Sequence, residues 1–334
     1  MDYQTLLVVI IVLLALGFDF INGFHDTANA IATSVSTRAL TPRRAIILAS
    51  AMNLLGALMF TGVAKTIGKD IANPLELDHG LTVIIAALIA AILWNLITWW
   101  LGLPSSSSHA IIGALAGAVI ASEGFDGINY AGFTKIVKWL IISPIVAFII
   151  GYIIMFILKH IFANSSPHRI NKVFRSGQVL TAAFQSFTHG TNDAQKAMGI
   201  IMMALVAADF EPSMDVDIPI WVKLGAATAM ALGTSVGGWK IIKTMGTKIF
   251  KIEPINGFAA DLSSASVILT ATLSNFPVST THAITSSILG VGSAKKFSSV
   301  KWSMAGRIVW TWVITIPIAS VISMLVYLLV SLFV

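Results

Sequence analysis

Apolar runs long enough to cross a bilayer recur from one end of this chain to the other, and that leaves few folds open. The segments Leu6–Ile21, Ala45–Val63, Leu81–Trp100, Ile136–Leu158, Ile218–Val236 and Ile308–Phe333 show no alternation of strand type. In hydrocarbon every backbone polar group must be satisfied within the structure, and a helix does so in roughly 20 apolar residues. Only 11% of the residues are charged and 56% are hydrophobic, more apolar surface than a soluble domain of this size needs. The reading is an all-α polytopic membrane protein. The first run lacks a basic start and a small-residue cleavage site, so it reads as a span and not as a signal peptide. The net charge of +6 lies in loops between spans, which speaks for loop orientation and against a nucleic-acid surface. Zero Cys excludes disulfides and thiolate metal sites, and the absence of GxxxxGK[ST] argues against nucleotide-driven pumping.

Short polar stretches interrupt this pattern, and they come in pairs. Residues 23–34 read GFHDTANAIATS and residues 189–199 read HGTNDAQKAMG, which sets Gly23 over Gly190 and Asp26 over Asp193. Residues 103–113 read LPSSSSHAIIG and residues 276–286 read FPVSTTHAITS, which sets Pro104 over Pro277 and His109 over His282. Lys65-Thr66-Ile67-Gly68 is echoed by Lys243-Thr244-Met245-Gly246, and Pro144 by Pro317. Features in the same order imply a duplication: a first repeat over 1–160, a basic cytoplasmic linker over 161–176 and a second repeat over 177–334. The Ser/His half-helices are expected at 103–122 and 276–292.

Loop charge orients the halves. Arg38, Arg43 and Arg44 follow the first Asp motif, whereas Asp209, Glu211, Asp215 and Asp217 follow the second. Glu123 and Asp126 close the first Ser/His segment, and Lys295, Lys296 and Lys301 close the second. Lys240, Lys243, Lys248 and Lys251 stand opposite a mixed loop with Asp70, Glu76 and Asp78. Reversed signs imply an inverted-topology repeat with the basic loops cytoplasmic and both termini extracytoplasmic. Residues 81–122 and 255–292 must each return to the side they left. About 10–12 membrane segments follow, some of them broken or re-entrant.

The motifs divide the chemistry. Pro at a first helical position and Ser hydroxyls at the cap mark a helix start at Ser105, Ser106, Ser107 and Ser108, and again at Ser279, Thr280 and Thr281. A helix starting inside the membrane aims free N–H groups and about half a positive charge at what faces it, which makes an oxyanion cradle. In the Asp motifs, Gly23 and Gly190 permit an unwound point. There Asp26, Thr27 and Asn29, and Asn192, Asp193 and Gln195, can coordinate a hard cation such as sodium. Asp261, in an apolar run with Ser263 and Ser264, is a third candidate ligand. Lys196 replaces Asn29 in the second copy and can offset charge. Two carboxylates beside a dianion repel at several kcal/mol per pair, so cations or protons must enter with the anion. Mixed donors and acceptors favour phosphate over sulfate. An anion channel, or a hydrolase using Ser105–Ser108 with a His base, is the rival reading. The hydrolase fits poorly, because both halves carry Ser and His while a catalytic centre needs one set.

GFHDTANAIATS, HGTNDAQKAMG, LPSSSSHAIIG and FPVSTTHAITS resemble the signatures of the PiT family of inorganic phosphate transporters, of the bacterial low-affinity permease type. The resemblance implies a secondary transporter and no enzyme. It implies uptake of inorganic phosphate with sodium or protons, no cofactor, and essential roles for Asp26 and Asp193. Sodium-coupled animal members carry a second acid where this chain has Asn53, and Asp261 reads as the acid at the corresponding place of the second half. Abundant neutral oxygens favour sodium, and a proton-coupled or metal-phosphate symporter is the alternative. The implied setting is a lipid bilayer, the cell membrane, with a homodimer as the assembly.

Overall fold

Helices begin where the sequence supplies a cap. Asp2 accepts from the Thr5 N–H at the start of α1 (Tyr3–His25). Thr41 caps and Pro42 opens α3 (Pro42–Ala57), after α2 (Thr27–Ser36). α4 (Gly62–Asp70) and α5 (Gly80–Leu101) follow, and Gly102 ends α5 with a left-handed φ of 67°, a conformation glycine adopts without steric cost. Ser106 caps α6 (Ser107–Glu123), which leads into α7 (Tyr130–Ile161). The second half repeats the series with α8 (Pro167–Ala207), α9 (Ile220–Val236), α10 (Trp239–Lys243), α11 (Pro254–Leu273), α12 (Thr280–Lys296) capped by Ser279, and α13 (Trp302–Val330). These assignments come from a computed structural model that describes residues 2–71 and 79–333. Glu76 and Asp78, used for loop charge, lie outside the described residues.

The most extensive contacts between elements have counterparts with the halves exchanged. α6 packs on α13 and α12 on α7; α3 packs on α8 and α9 on α1; α4 packs on α8 and α10 on α2. A twofold relation between the repeats produces this pairing, and the two halves are interleaved. Small residues make the exchange possible. A Cβ on Gly117 of α6 would lie 2.2 Å from the Ser320 carbonyl oxygen of α13, and one on Gly290 of α12 would lie 2.1 Å from that of Phe148 on α7. In a membrane, where lipid tails are as apolar as Leu, such close backbone approach is a main source of helix association. The outer faces of α7 and α13 expose Ile145, Ile149, Ile153, Val313, Val321 and Leu325, as lipid-facing helices do.

The structure changes three expectations. By length and apolarity four helices can cross a membrane among the described residues: Tyr3–Ser36 taken as one, α5, α7 and α13. The expected span Ala45–Val63 is instead a bent pair, α3 and α4, meeting at 70°, and counts as a fifth. α6 and α9 are apolar but 17 residues long. The linker expected over 161–176 is largely helical, because Pro167 starts a 41-residue α8 that would extend about 60 Å and carry its basic end beyond the hydrocarbon. The Asp motifs are not unwound. α8 runs without a break through Gly190 and Asp193, and the first motif turns only at Asp26, which keeps right-handed helical φ and ψ of −88° and −35°.

Loops gather by charge. Asp215 pairs with Lys69, Lys135 with Asp70 at 3.5 Å, and the Asn129 N–H bonds the Ile71 carbonyl, which assembles one end of the bundle. At another set of loops Lys295 meets Glu253 at 2.7 Å, and Ala39 borders His168, Lys172 and Arg175.

Candidate functional site

The two helix starts predicted from PSSSSH and PVSTTH meet at the twofold. The rings of His109 and His282 lie 4.3 Å apart, and each of these residues has its N–H held at 3.1 Å by the capping hydroxyl, Ser106 or Ser279. The free N–H ends of α6 and α12 are thereby brought to the same region with their dipoles. Each Asp motif delivers its carboxylate to the first residue of its own half-helix. Ser107 Oγ donates to Asp26 Oδ2 at 2.6 Å, and Thr280 Oγ1 donates to Asp193 Oδ2 at 3.2 Å.

Lys196 joins the two copies. Its Nζ lies 2.9 Å from Asp193 Oδ2 and donates at 2.9 Å to Ser107 Oγ, so a continuous polar chain runs Asp26–Ser107–Lys196–Asp193–Thr280. All five side chains are buried. Asn29, the repeat counterpart of Lys196, likewise crosses to the other half and donates to Thr281 Oγ1 at 2.9 Å. His25 Nδ1 donates to Asp26 Oδ1 at 2.6 Å; the carboxylate can only accept, which sets the tautomer. Asp193 Oδ1 and Asn29 Oδ1, two buried oxygens from opposite halves, have no hydrogen-bond partner among the described residues.

Several predicted ligands lie elsewhere. Ser105 Oγ bonds Thr98 Oγ1 at 2.7 Å, and Ser108 donates to the Val278 carbonyl at 2.8 Å. Thr27 turns to α9, with its Oγ1 3.1 Å from Thr234 Oγ1 and accepting from the Asn53 amide at 2.9 Å. Gln195 Oε1 accepts the Ala64 N–H at 3.1 Å and so caps the first turn of α4. Asn192 holds the chain before α12: its Oδ1 takes the Val278 N–H at 3.3 Å and its amide donates to Thr272 at 3.0 Å. Asp261 belongs to another cluster, accepting from Thr33 at 2.7 Å and Thr181 at 3.4 Å. Nor is Asp261 the repeat equivalent of Asn53, because Asn53 lies on α3, matched by α9, and Asp261 on α11, matched by α5.

Residues 22–323 match the model of the phosphate transporter family. The chain belongs to the phosphate transporter family. It is 60% identical over 331 residues, 99% of each chain, to a Bacillus subtilis protein described as "Probable low-affinity inorganic phosphate transporter". A Rhizobium meliloti protein with the same description is 44% identical over 96% of each chain. A solved structure described as "The sodium-dependent phosphate transporter" superposes with a TM-score of 0.88 at 27% identity, over 98% of this chain and 100% of that one. Phosphate transport across a membrane, and not catalysis, is therefore the activity of this family member.

In this transporter the sequence reading missed Asp19, which is fully buried with neither oxygen hydrogen-bonded among the described residues. It sits inside the run taken as the apolar span Leu6–Ile21. An ionisable residue in such a span is a functional signal by itself.

Proposed function

We propose that the chain is a secondary active symporter that takes up inorganic phosphate on a cation gradient, with sodium as the coupling ion, by alternating access around the Asp26–Asp193 centre. The convergence of two inverted helix starts with one carboxylate each is the observation that carries this reading. Phosphate would take the hydroxyls of Ser107 and Thr280 and the free N–H groups behind them. Asp26 and Asp193 would then hold the cations that enter with it, joined by Asn29 Oδ1 and the free oxygen of Asp193. Each net positive charge carried inward gains about 2.3 kcal/mol per 100 mV, so cations in excess of the anion charge drive accumulation. The solved relative described as sodium-dependent supports sodium over protons.

The test is labelled phosphate uptake into liposomes with sodium and proton gradients imposed separately. Wild-type protein should respond to sodium. Asp26→Asn and Asp193→Asn should each lower the rate about 100-fold, equivalent to about 3 kcal/mol of lost ion binding. Wild-type rates in both variants would sink the reading, and uptake driven by a proton gradient alone would replace sodium with protons.

The basic loops are proposed to face the cytoplasm and both termini the outside. The chain has no Cys, so single cysteines report cleanly. Asp217→Cys should react with a membrane-impermeant maleimide in intact cells, and Lys296→Cys only after permeabilisation. The opposite pattern would reverse the orientation.

A further inference from the structure

Asp19 and Asn22 lie on α1 on the same helical face as Asp26, at three- and four-residue spacings. Asn95 lies on α5, which packs against α1. His25 Nε2 and Thr98 Oγ1, 3.1 Å apart, fix the register of the two helices. The repeat equivalents α8 and α11 run parallel, with Thr181 bonded to Asp261, Gln185 to Ser264 and Thr191 to Thr272 in rising order. α1 and α5 therefore run parallel too, and Asn22 and Asn95, each three residues before the His25–Thr98 contact, stand level.

All three side chains are buried, and all six of their polar atoms lack a hydrogen-bond partner among the described residues. Asn22 stands beside Asp19 without reaching hydrogen-bond geometry. The nearby ammonium, Lys196, is already held by Asp193 and Ser107. At the repeat equivalents of Asp19 and Asn22, Ser186 donates to the Ala182 carbonyl at 2.8 Å, and His189 has Nδ1 3.1 Å from Asn53 Oδ1 and Nε2 3.3 Å from Asp193 Oδ2. The buried carboxylate with both oxygens unpartnered thus stands at this position of the first half and not at its repeat equivalent, Ser186. Buried polar groups left without partners are costly, and a carboxylate costs most, which marks the cluster as a place for a ligand.

We propose that Asp19, Asn22 and Asn95 form a sodium site beside the Asp26–Asp193 centre, with the carboxylate and the two amide carbonyl oxygens as ligands. One carboxylate with neutral oxygens suits a monovalent hard cation, since divalent sites recruit more negative charge. The amide NH2 groups are left to the remaining lone pairs of Asp19. The site rests on the sodium-coupled reading above and adds a coupling ion to it.

Two measurements test it on the full chain. In liposomes at fixed pH, phosphate uptake is followed against sodium for wild type, Asp19→Asn and Asn95→Asp. In detergent, the melting temperature is followed against sodium chloride, with choline chloride as control. Asp19→Asn should raise half-saturating sodium at least 10-fold and lower the Hill coefficient by about one, with much of the rate regained at high sodium. Sodium should also raise its melting temperature less than that of wild type. Asn95→Asp, which adds a carboxylate, should lower half-saturating sodium. A wild-type sodium curve and melting response in Asp19→Asn would overturn this site alone. A shift of its pH profile with no change in sodium dependence would overturn it in favour of a protonated Asp19. Absence of any sodium response in wild type would overturn both this site and sodium coupling.

Discussion

Lys196→Met is expected to abolish phosphate uptake and to destabilise the protein by about 3–5 kcal/mol, the usual cost of breaking a buried ion pair from one side. The Lys196 ammonium lies 2.9 Å from both Asp193 Oδ2 and Ser107 Oγ and is fully buried. Methionine matches its volume but leaves the Asp193 carboxylate uncompensated, with Asp26 close by. The double variant Lys196→Met/Asp193→Asn removes both charges together, so it should recover most of the lost stability. It should not recover transport, because the cation ligand is gone. Thermal unfolding in detergent separates the two effects from uptake in liposomes. If the single variant were as stable as wild type, Lys196 would be snorkelling or uncharged, and the polar chain through Ser107 would not exist in the working protein.

Gly190→Ala should be the most damaging of the small substitutions in the Asp motifs. The added Cβ would lie 2.3 Å from the Asn53 carbonyl oxygen and 2.7 Å from its Cα, both of them backbone atoms that cannot rotate away. α3 or α8 must move, at a cost of about 1–3 kcal/mol or more for overpacking. Because Asp193 lies one turn and Lys196 nearly two turns further along the same helix, the shift reaches the site, and uptake should fall along with melting temperature. Gly17→Ala is the control. None of the described residues comes within 4 Å of its Cβ position, so removing a helix-interior glycine there should stabilise by about 1 kcal/mol. Equal effects at the two positions would show that close helix approach is not what the motif glycine provides.

That result bears on how the motif glycines are read. From sequence, Gly23 and Gly190 beside Asp, Asn and Thr suggest an opened helix with free carbonyls. The structure keeps both helical and uses both for approach: a Cβ on Gly23 would meet the Met230 carbonyl oxygen at 2.3 Å. Local composition cannot distinguish these uses, since glycine lowers the cost of unwinding and of contact alike. The same holds for ligand selection. Thr27 and Gln195 have the right chemistry and neighbours in sequence, yet they point to α9 and α4. In a helix, successive residues lie about 100° apart, so residues next to Asp26 or Asp193 must face other partners. Asn29 and Lys196, three residues on, are the ones that share the face of the carboxylates.

By itself the sequence determined the medium, the helical class, the duplicated order of motifs and the two aspartates that pair with the Ser/His segments. Those follow from apolar length, capping chemistry and the internal repeat, which are local or periodic properties of the chain. Only the tertiary structure decided that Lys196 bridges the halves, that Ser105 and Ser108 serve neighbouring elements, and that Asp19, Asn22 and Asn95 find no hydrogen-bond partner among the described residues. Those depend on which helix faces which after the halves interleave. The contacts are made between residues about 70 to 250 positions apart, so helical periodicity within one segment carries no information about them.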